Sequence, residues 1–165
     1  MKRVKTILAV LVITTGIFTV QSCSSDNEET TGTNDLFITF TLNGEEIDIR
    51  GDARVASAFS GVNLSINGNN NLPLTDPNYI RIALLIPDKN VEPGTYPFSG
   101  DVFTSGLYHC RIIVKGSTIQ SLNSGNLVIT SNTNKTIDGT FSGSATIGNE
   151  TYAVTNGSFR AISDQ

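Results

Sequence analysis

The sequence predicts an all-β protein, a single antiparallel β-sandwich or flattened up-and-down β-barrel of about nine or ten strands. Three observations carry this expectation. Apolar and polar residues alternate in period two along most of the chain. Asn-Gly, Pro-Gly and other turn-forming pairs interrupt the alternation at short intervals. Beyond residue 35 no stretch sustains a 3.6-residue period between helix caps.

The elements follow in order. Leu36, Ile38, Phe40 and Leu42 share one face of a first strand, with Phe37, Thr39 and Thr41 on the other. Asn43-Gly44 supplies the two positive-φ residues of a type I′ hairpin, and the chain returns through Ile47 and Ile49 with Glu46, Asp48 and Arg50 facing out. Val55, Ser57 and Phe59 make a third run and Val62, Leu64 and Ile66 a fourth, closed by Asn67-Gly68-Asn69-Asn70-Asn71. Residues 79–86 are apolar except for Arg81, which suits a central strand buried on both faces; Pro87-Asp88 ends it. Residues 96–98 suit an edge or corner, because Pro97 cannot donate to a central ladder. Runs over 107–115, 125–130, 136–147 and 152–162 complete the set, the last two with bulges expected at Gly139, Gly143 or Gly157. One or two helical turns are allowed near 117–123.

The chain ahead of this domain divides in two. Lys2, Arg3 and Lys5 precede an apolar run from Ile7 to Val20, which is short of the ~20 residues a membrane-spanning helix needs. Val20-Gln21-Ser22-Cys23 follows and resembles the lipobox cut by lipoprotein signal peptidase, an aliphatic residue, then a small one directly before an obligatory cysteine. The resemblance implies a signal peptide over 1–22 and a diacylglyceryl thioether on Cys23, so that the protein partners a membrane through lipid. Residues 23–34 hold Asp26, Glu28 and Glu29 and, past Cys23, no apolar side chain, the composition of a flexible acidic tether. It is similar to the acidic signal that sends lipoproteins of Bacteroidota to the outer face of the outer membrane. The globular domain is then 35–165.

Removing 22 leader residues from 165 leaves 143, enough for one domain with one core, and losing Lys2, Arg3 and Lys5 takes the net charge from −4 to −7. A chain so acidic lacks the basic footprint that nucleic acid or anionic lipid requires. Cys110 is left without a second cysteine to pair with, and reads as a buried, inert thiol.

Read as an ordered set, the motifs resemble a family. Asn43-Gly44, Pro93-Gly94-Thr95-Tyr96, Tyr108, Ser124-Gly125-Asn126-Leu127-Val128-Ile129-Thr130, Lys135-Thr136-Ile137-Asp138-Gly139-Thr140-Phe141 and Thr155-Asn156-Gly157-Ser158-Phe159 run from about 35 to 162. In this order they are similar to small flavobacterial-type surface lipoproteins of Bacteroidota that form a family of unknown function. The resemblance implies an all-β fold and the same envelope address. It carries over no catalytic or ligand residue.

The residues themselves offer little catalytic chemistry. His109, the one histidine, stands beside Arg111 on the face opposite Tyr108, Cys110, Ile112 and Val114, and reads as a surface or cavity-lining residue. No nucleophile elbow, His-Glu-x-x-His run or paired-cysteine spacing accompanies it. Glu45, Glu46 and Asp48 read as edge charges that discourage sheet-to-sheet pairing. Arg50-Gly51-Asp52 spells an adhesive tripeptide, though Gly51 more simply ends a strand. With four tyrosines and no tryptophan, a sugar-stacking platform would be sparse. Two polar loops, 67–76 and 99–105, exceed what hairpins need, and their candidate ligand residues are Asn67, Asn69, Asn70, Asn71, Asp76 and Asp101. One carboxylate among those amides would make a weak calcium site, so no metal and no cofactor are expected. The function expected is non-enzymatic binding of an envelope protein, a small molecule or a glycan. The alternative is a structural envelope component without a specific ligand; behind it stand a carbohydrate-binding module and a hydrolase using His109 or an acid pair.

Overall fold

The computed structural model describes residues 35–101, 103–114, 117–119 and 121–163. The signal peptide, Cys23 and the acidic tether lie outside the described residues. Eleven strands are found among the described ones: β1 (Phe37–Leu42), β2 (Glu45–Arg50), β3 (Val55–Ser60), β4 (Asn63–Asn69), β5 (Ile80–Ile86), β6 (Gly94–Pro97), β7 (His109–Val114), β8 (Ser117–Ile119), β9 (Ser124–Thr133), β10 (Thr136–Ile147) and β11 (Glu150–Ile162).

They form two antiparallel sheets, one in the order β2-β1-β11-β10-β9-β6 and the other β3-β4-β5-β7-β8. This is a sandwich. The barrel that the sequence also allowed is not formed, and the strand order is not up-and-down: β1 lies against β11, and the chain passes between the sheets after β2, β5, β6 and β8. All eleven strands fall within the compact unit Thr31–Gln165, so a chain from residue 35 onward holds the whole sandwich.

Alternation builds the core. Ile38 and Phe40 from β1, Leu127 and Ile129 from β9, Phe141 from β10 and Phe159 from β11 are buried and share one cluster with Leu64, Ile66, Ile82, Leu84, Cys110 and Ile112 of the other sheet. Each fully buried side chain of this size contributes roughly 1.5–3 kcal/mol. Phe40, Phe141 and Phe159 are tilted against one another, with centroids 6.0 and 6.4 Å apart along that series. Ser57 Oγ ties the sheets together by donating to the Ile162 carbonyl at 2.5 Å.

The Asn43-Gly44 hairpin has the expected left-handed residues, φ 50° and 90°. Register shifts fall beside the expected glycines, at Asp138/Gly139 between β9 and β10 and at Phe141/Gly143 between β10 and β11. Across β10 and β11, Gly139 faces Phe159 and Phe141 faces Gly157, so each bare glycine lies beneath an aromatic ring. β6 is an edge strand, as Pro97 requires. Two expectations need correction. Residues 117–119 form β8, paired with β7, rather than a helical turn. Asn67 and Asn69 belong to β4, which runs past the point where its apolar alternation stops, because pairing with β5 continues to Asn69 and Arg81.

Candidate functional site

The two outer faces of the sandwich differ in chemistry. Away from the core, β1, β10 and β11 present Thr39, Thr41, Thr140, Ser142, Ser144 and Ser158, with Arg160 and Asp138 paired at 2.7 Å. Phe37 and Val128 lie on the same face, where an open hollow of about 400 Å³ is lined by Asn126, Val128, Thr140 and Ser158. The outer face of the second sheet presents Ala56 and Ala58 from β3, Ser65 and Asn67 from β4, Arg81, Ala83 and Leu85 from β5, and His109, Arg111 and Ile113 from β7. Strand register lays these out in rows: Ala58, Ser65, Leu85 and His109 in one, Ala56, Asn67, Ala83 and Arg111 in the next. Small side chains at the centre lower the floor. β5 was expected to be buried on both faces. It is buried on the inner face, while Ala83 and Leu85 on the outer one are only half-buried.

Beside Leu85 lies the connection between β6 and β7. Its two ends are held together by the Tyr96–Tyr108 ring stack, with centroids 4.4 Å apart, and by a parallel bridge from Phe98 to Tyr108. Burial raises the pKa of the Tyr108 hydroxyl above the ordinary phenol value. The Ser99 carbonyl accepts from Ser121 Oγ at 2.8 Å and from His109 Nδ1 at 2.9 Å. A carbonyl only accepts, so Nδ1 carries a proton and Nε2 is the nitrogen left for a ligand. His109 is buried and lines a cavity. It is oriented by a carbonyl, not by the carboxylate that positions the base of a catalytic triad.

Asp101 then sets the loop's shape. Its Oδ2 accepts from Thr104 Oγ1 at 2.6 Å and its Oδ1 from the Phe103 amide at 3.0 Å. The Thr104 hydroxyl foremost, then the Phe103 amide, holds this carboxyl below the usual aspartate range. Phe103 is thereby displayed almost wholly to solvent, 94 % exposed, with Leu107 nearby. Between this loop and the sheet lies an open cleft of about 440 Å³, lined among others by Ala58, Ser65, Leu85, Phe103, Leu107 and His109. It continues along β5 into a second hollow of about 290 Å³ that shares Ser65 and Leu85 and adds Asn67, Arg81, Arg111 and Ile113.

The candidate residues named from sequence divide accordingly. Asn67 faces the second hollow, where it bonds Ser65 and accepts from Arg81 Nη2 at 3.1 Å. Asp101 shapes the loop that roofs the cleft. The other four are spent inside their own loop. Asn69 Oδ1 accepts from the Asn71 amide, and Asn70 donates to the Asn78 carbonyl and accepts from the Ile80 amide. Asp76 Oδ1 accepts from the Asn78 amide, and Asn71 takes a left-handed φ of 60°. These groups hold the turn and do not converge on a common point. Among the described residues no three His, Cys, Asp or Glu side chains are grouped to hold a metal ion.

The acidic trio Glu45, Glu46 and Asp48 lies exposed on the edge strand β2. Arg50 is paired with Asp48 at 2.8 Å and sits over the Phe37 ring, so the adhesive tripeptide has its cation engaged. Cys110 is completely buried, and desolvation pushes its thiol far above the ordinary value. A further cavity of about 520 Å³ opens at one end of the sandwich beside Glu45, Tyr79, Glu150 and Tyr152. There the Tyr152 hydroxyl donates to Glu150 Oε2 at 2.7 Å, which raises its pKa.

Sequence reasoning named the loop 99–105 that carries Phe103 but missed Leu85, Arg81 and Arg111 as site residues. The signal existed in part: Arg81 breaks an apolar run and Arg111 alternates with core residues. Only the β5–β7 register brings the two together. Comparison of the chain with protein-family models, with curated proteins and with solved structures finds no match, so the reading of the site rests on its geometry.

Proposed function

We propose that the chain is a non-enzymatic binding domain of the bacterial cell envelope, of the Bacteroidota surface-lipoprotein type. In this reading lipid on Cys23 holds it to the outer membrane, on the outer face, and it takes a small ligand in the cleft under loop 103–107. The basic and apolar leader, the lipobox-like Val20-Gln21-Ser22-Cys23 and the acidic run that follows support the address. One observation carries the binding reading: a cleft of about 440 Å³, floored by Ala58 and Leu85 and walled by Phe103 and Leu107, on the outer face of the second sheet. Ligand cavities have this size, apolar lining and small number of polar groups. Exposed apolar surface at a rigid sheet mark such sites more often than accident does.

The test is titration of a soluble chain beginning at Asp35 with phenylnaphthylamine, a neutral dye that brightens in apolar sites. The wild-type domain is expected to bind it, and Leu85→Glu and Phe103→Ser to weaken binding at least tenfold without loss of fold by circular dichroism. Binding that survives both substitutions puts the site elsewhere and ends this reading. A chain that binds nothing and only self-associates supports the structural-component alternative.

A glycan is the second reading, favoured by the end cavity, where Tyr79 and Tyr152 meet Glu45 and Glu150. Aromatic faces with carboxylate acceptors suit sugar hydroxyls. Tyr79→Ala would abolish glycan retention in affinity electrophoresis and leave dye binding unchanged.

A further inference from the structure

We infer that the ligand of the cleft is an amphipathic organic carboxylate, its apolar body under loop 103–107 and its anionic group on Arg111 and Arg81. This rests on the binding reading above and adds the ligand's charge and orientation to it.

The argument begins with pairing. Arg81 and Arg111 stand on neighbouring strands, Arg81 opposite Ile113 and Arg111 opposite Ala83, so they are diagonal neighbours on one face. Both line the same hollow of about 290 Å³. Neither is within ion-pairing distance of a carboxylate among the described residues, although the chain has more acids than bases. Arg81 has only a neutral partner, the Asn67 amide oxygen. Arg111 is the stronger case. Its Nε is buried, and no acceptor among the described residues reaches it. A buried donor of a charged group left unsatisfied is costly; Nε itself is closed to solvent, so an arriving carboxylate would offset the charge of the guanidinium rather than bond that atom.

The cationic hollow and the apolar cleft share Ser65 and Leu85, so a single molecule can touch both. Leu85 lies two residues beyond Ala83, the residue opposite Arg111, which puts the apolar floor roughly 7 Å along β5 from the arginine's row. A compact inorganic anion would leave the cleft empty, and a neutral apolar molecule would leave both guanidinium groups unused. A carboxylate on a short aliphatic body satisfies both. Arginine favours it further, because its planar fork binds a carboxylate through two parallel hydrogen bonds.

The experiment measures displacement of phenylnaphthylamine by octanoate and by octanol, which differ in charge and hardly in body. The chain used begins at Asp35 and holds the whole sandwich. In low salt octanoate is expected to displace the dye at about one-tenth the concentration of octanol. Arg111→Gln is expected to bring the two within about threefold of each other, and Arg81→Gln, at an exposed position that folding does not depend on, to have a smaller effect in the same direction. Added salt narrows the octanoate advantage, since Arg81 is open to solvent. Octanoate and octanol displacing equally from the wild-type chain overturns the anion inference while the cleft still binds. An octanoate advantage that persists in Arg111→Gln and Arg81→Gln alike overturns the assignment to these two residues. Failure of the dye to bind at all overturns both this inference and the binding reading beneath it.

Discussion

Gly139→Ala tests how the β9-β10-β11 ladder is packed. Gly139 does not need glycine for its backbone angles, since its φ is not positive. It needs glycine because there is no room. A Cβ at 139 would stand 2.7 Å from Phe159 Cε1 and closer still to the Val128 carbonyl oxygen, where ordinary contact begins at 3.4 Å. The ring would have to retreat by about 0.7 Å, yet Phe159 is 1 % exposed and packed against Phe141. Overpacking of this kind costs about 1–3 kcal/mol. Displacing the Val128 carbonyl, a backbone atom of the adjoining strand, adds roughly 1 kcal/mol for a weakened ladder hydrogen bond. Together the loss is about 2–4 kcal/mol, or roughly 10 °C in Tm for a domain of this size. Gly148 is the control. Its φ is 63°, nothing lies within 4 Å of a Cβ there, and alanine should cost only about 1 kcal/mol through the left-handed backbone. Urea unfolding followed by far-ultraviolet circular dichroism measures both. In a Gly139→Ala background, Phe159→Leu should recover part of the loss, a coupling of at least about 0.5 kcal/mol. If Gly139→Ala costs no more than Gly148→Ala, the steric account of these glycines is wrong.

Three further outcomes are expected. Cys110 should react with a thiol reagent only on global unfolding, and Cys110→Ser should cost about 1–3 kcal/mol by placing a hydroxyl without a partner in the core; rapid labelling of the native chain would contradict its burial. Asp101 has a folded pKa below its ordinary 3.8, so the order it gives loop 103–107 is fully present above that pH and is lost as pH falls through the depressed value. Dye affinity should therefore drop in acid below about pH 4 while the sandwich stays folded, and Asp101→Ala should show the weakened affinity at every pH. Cys23 should take up a clickable fatty acid in growing cells and Cys23→Ala should not, with protease shaving of intact cells reporting whether the domain lies outside.

Most of the fold was legible because an antiparallel strand with one wet face writes its burial in period two, and this chain has few exceptions. The Asn43-Gly44 hairpin, the Pro97 edge and the glycine bulges each follow from a local rule, and local rules survive folding. Residues 117–119 did not declare themselves, because a three-residue strand is too short to show a period and is fixed by pairing with Ile112 and Val114. The amide cluster misled for a related reason. Asn69, Asn70, Asn71 and Asp76 looked like ligands because they are polar and close in sequence, but a long turn also has backbone groups of its own to satisfy.

The cleft was the least legible feature, and β5 explains why. An apolar run interrupted only by Arg81 has one usual meaning, a strand covered on both faces, and the inner half of that reading is right: Ile82, Leu84 and Ile86 are buried. For the outer half no layer among the described residues covers the strand completely. Among the described residues no helix packs on Ala83 and Leu85, and the loop beside Leu85 is shaped by Asp101 and displays Phe103 to solvent. Apolar residues on a strand face that no described residue completely covers cost solubility and aggregation resistance, particularly on an open-edged sheet. The other outer face shows that this chain can make a wet sheet surface of threonine and serine. The difference between the faces is therefore chemical: one is largely threonine and serine, and the other leaves Ala83 and Leu85 half-buried and Arg111 Nε without an acceptor among the described residues.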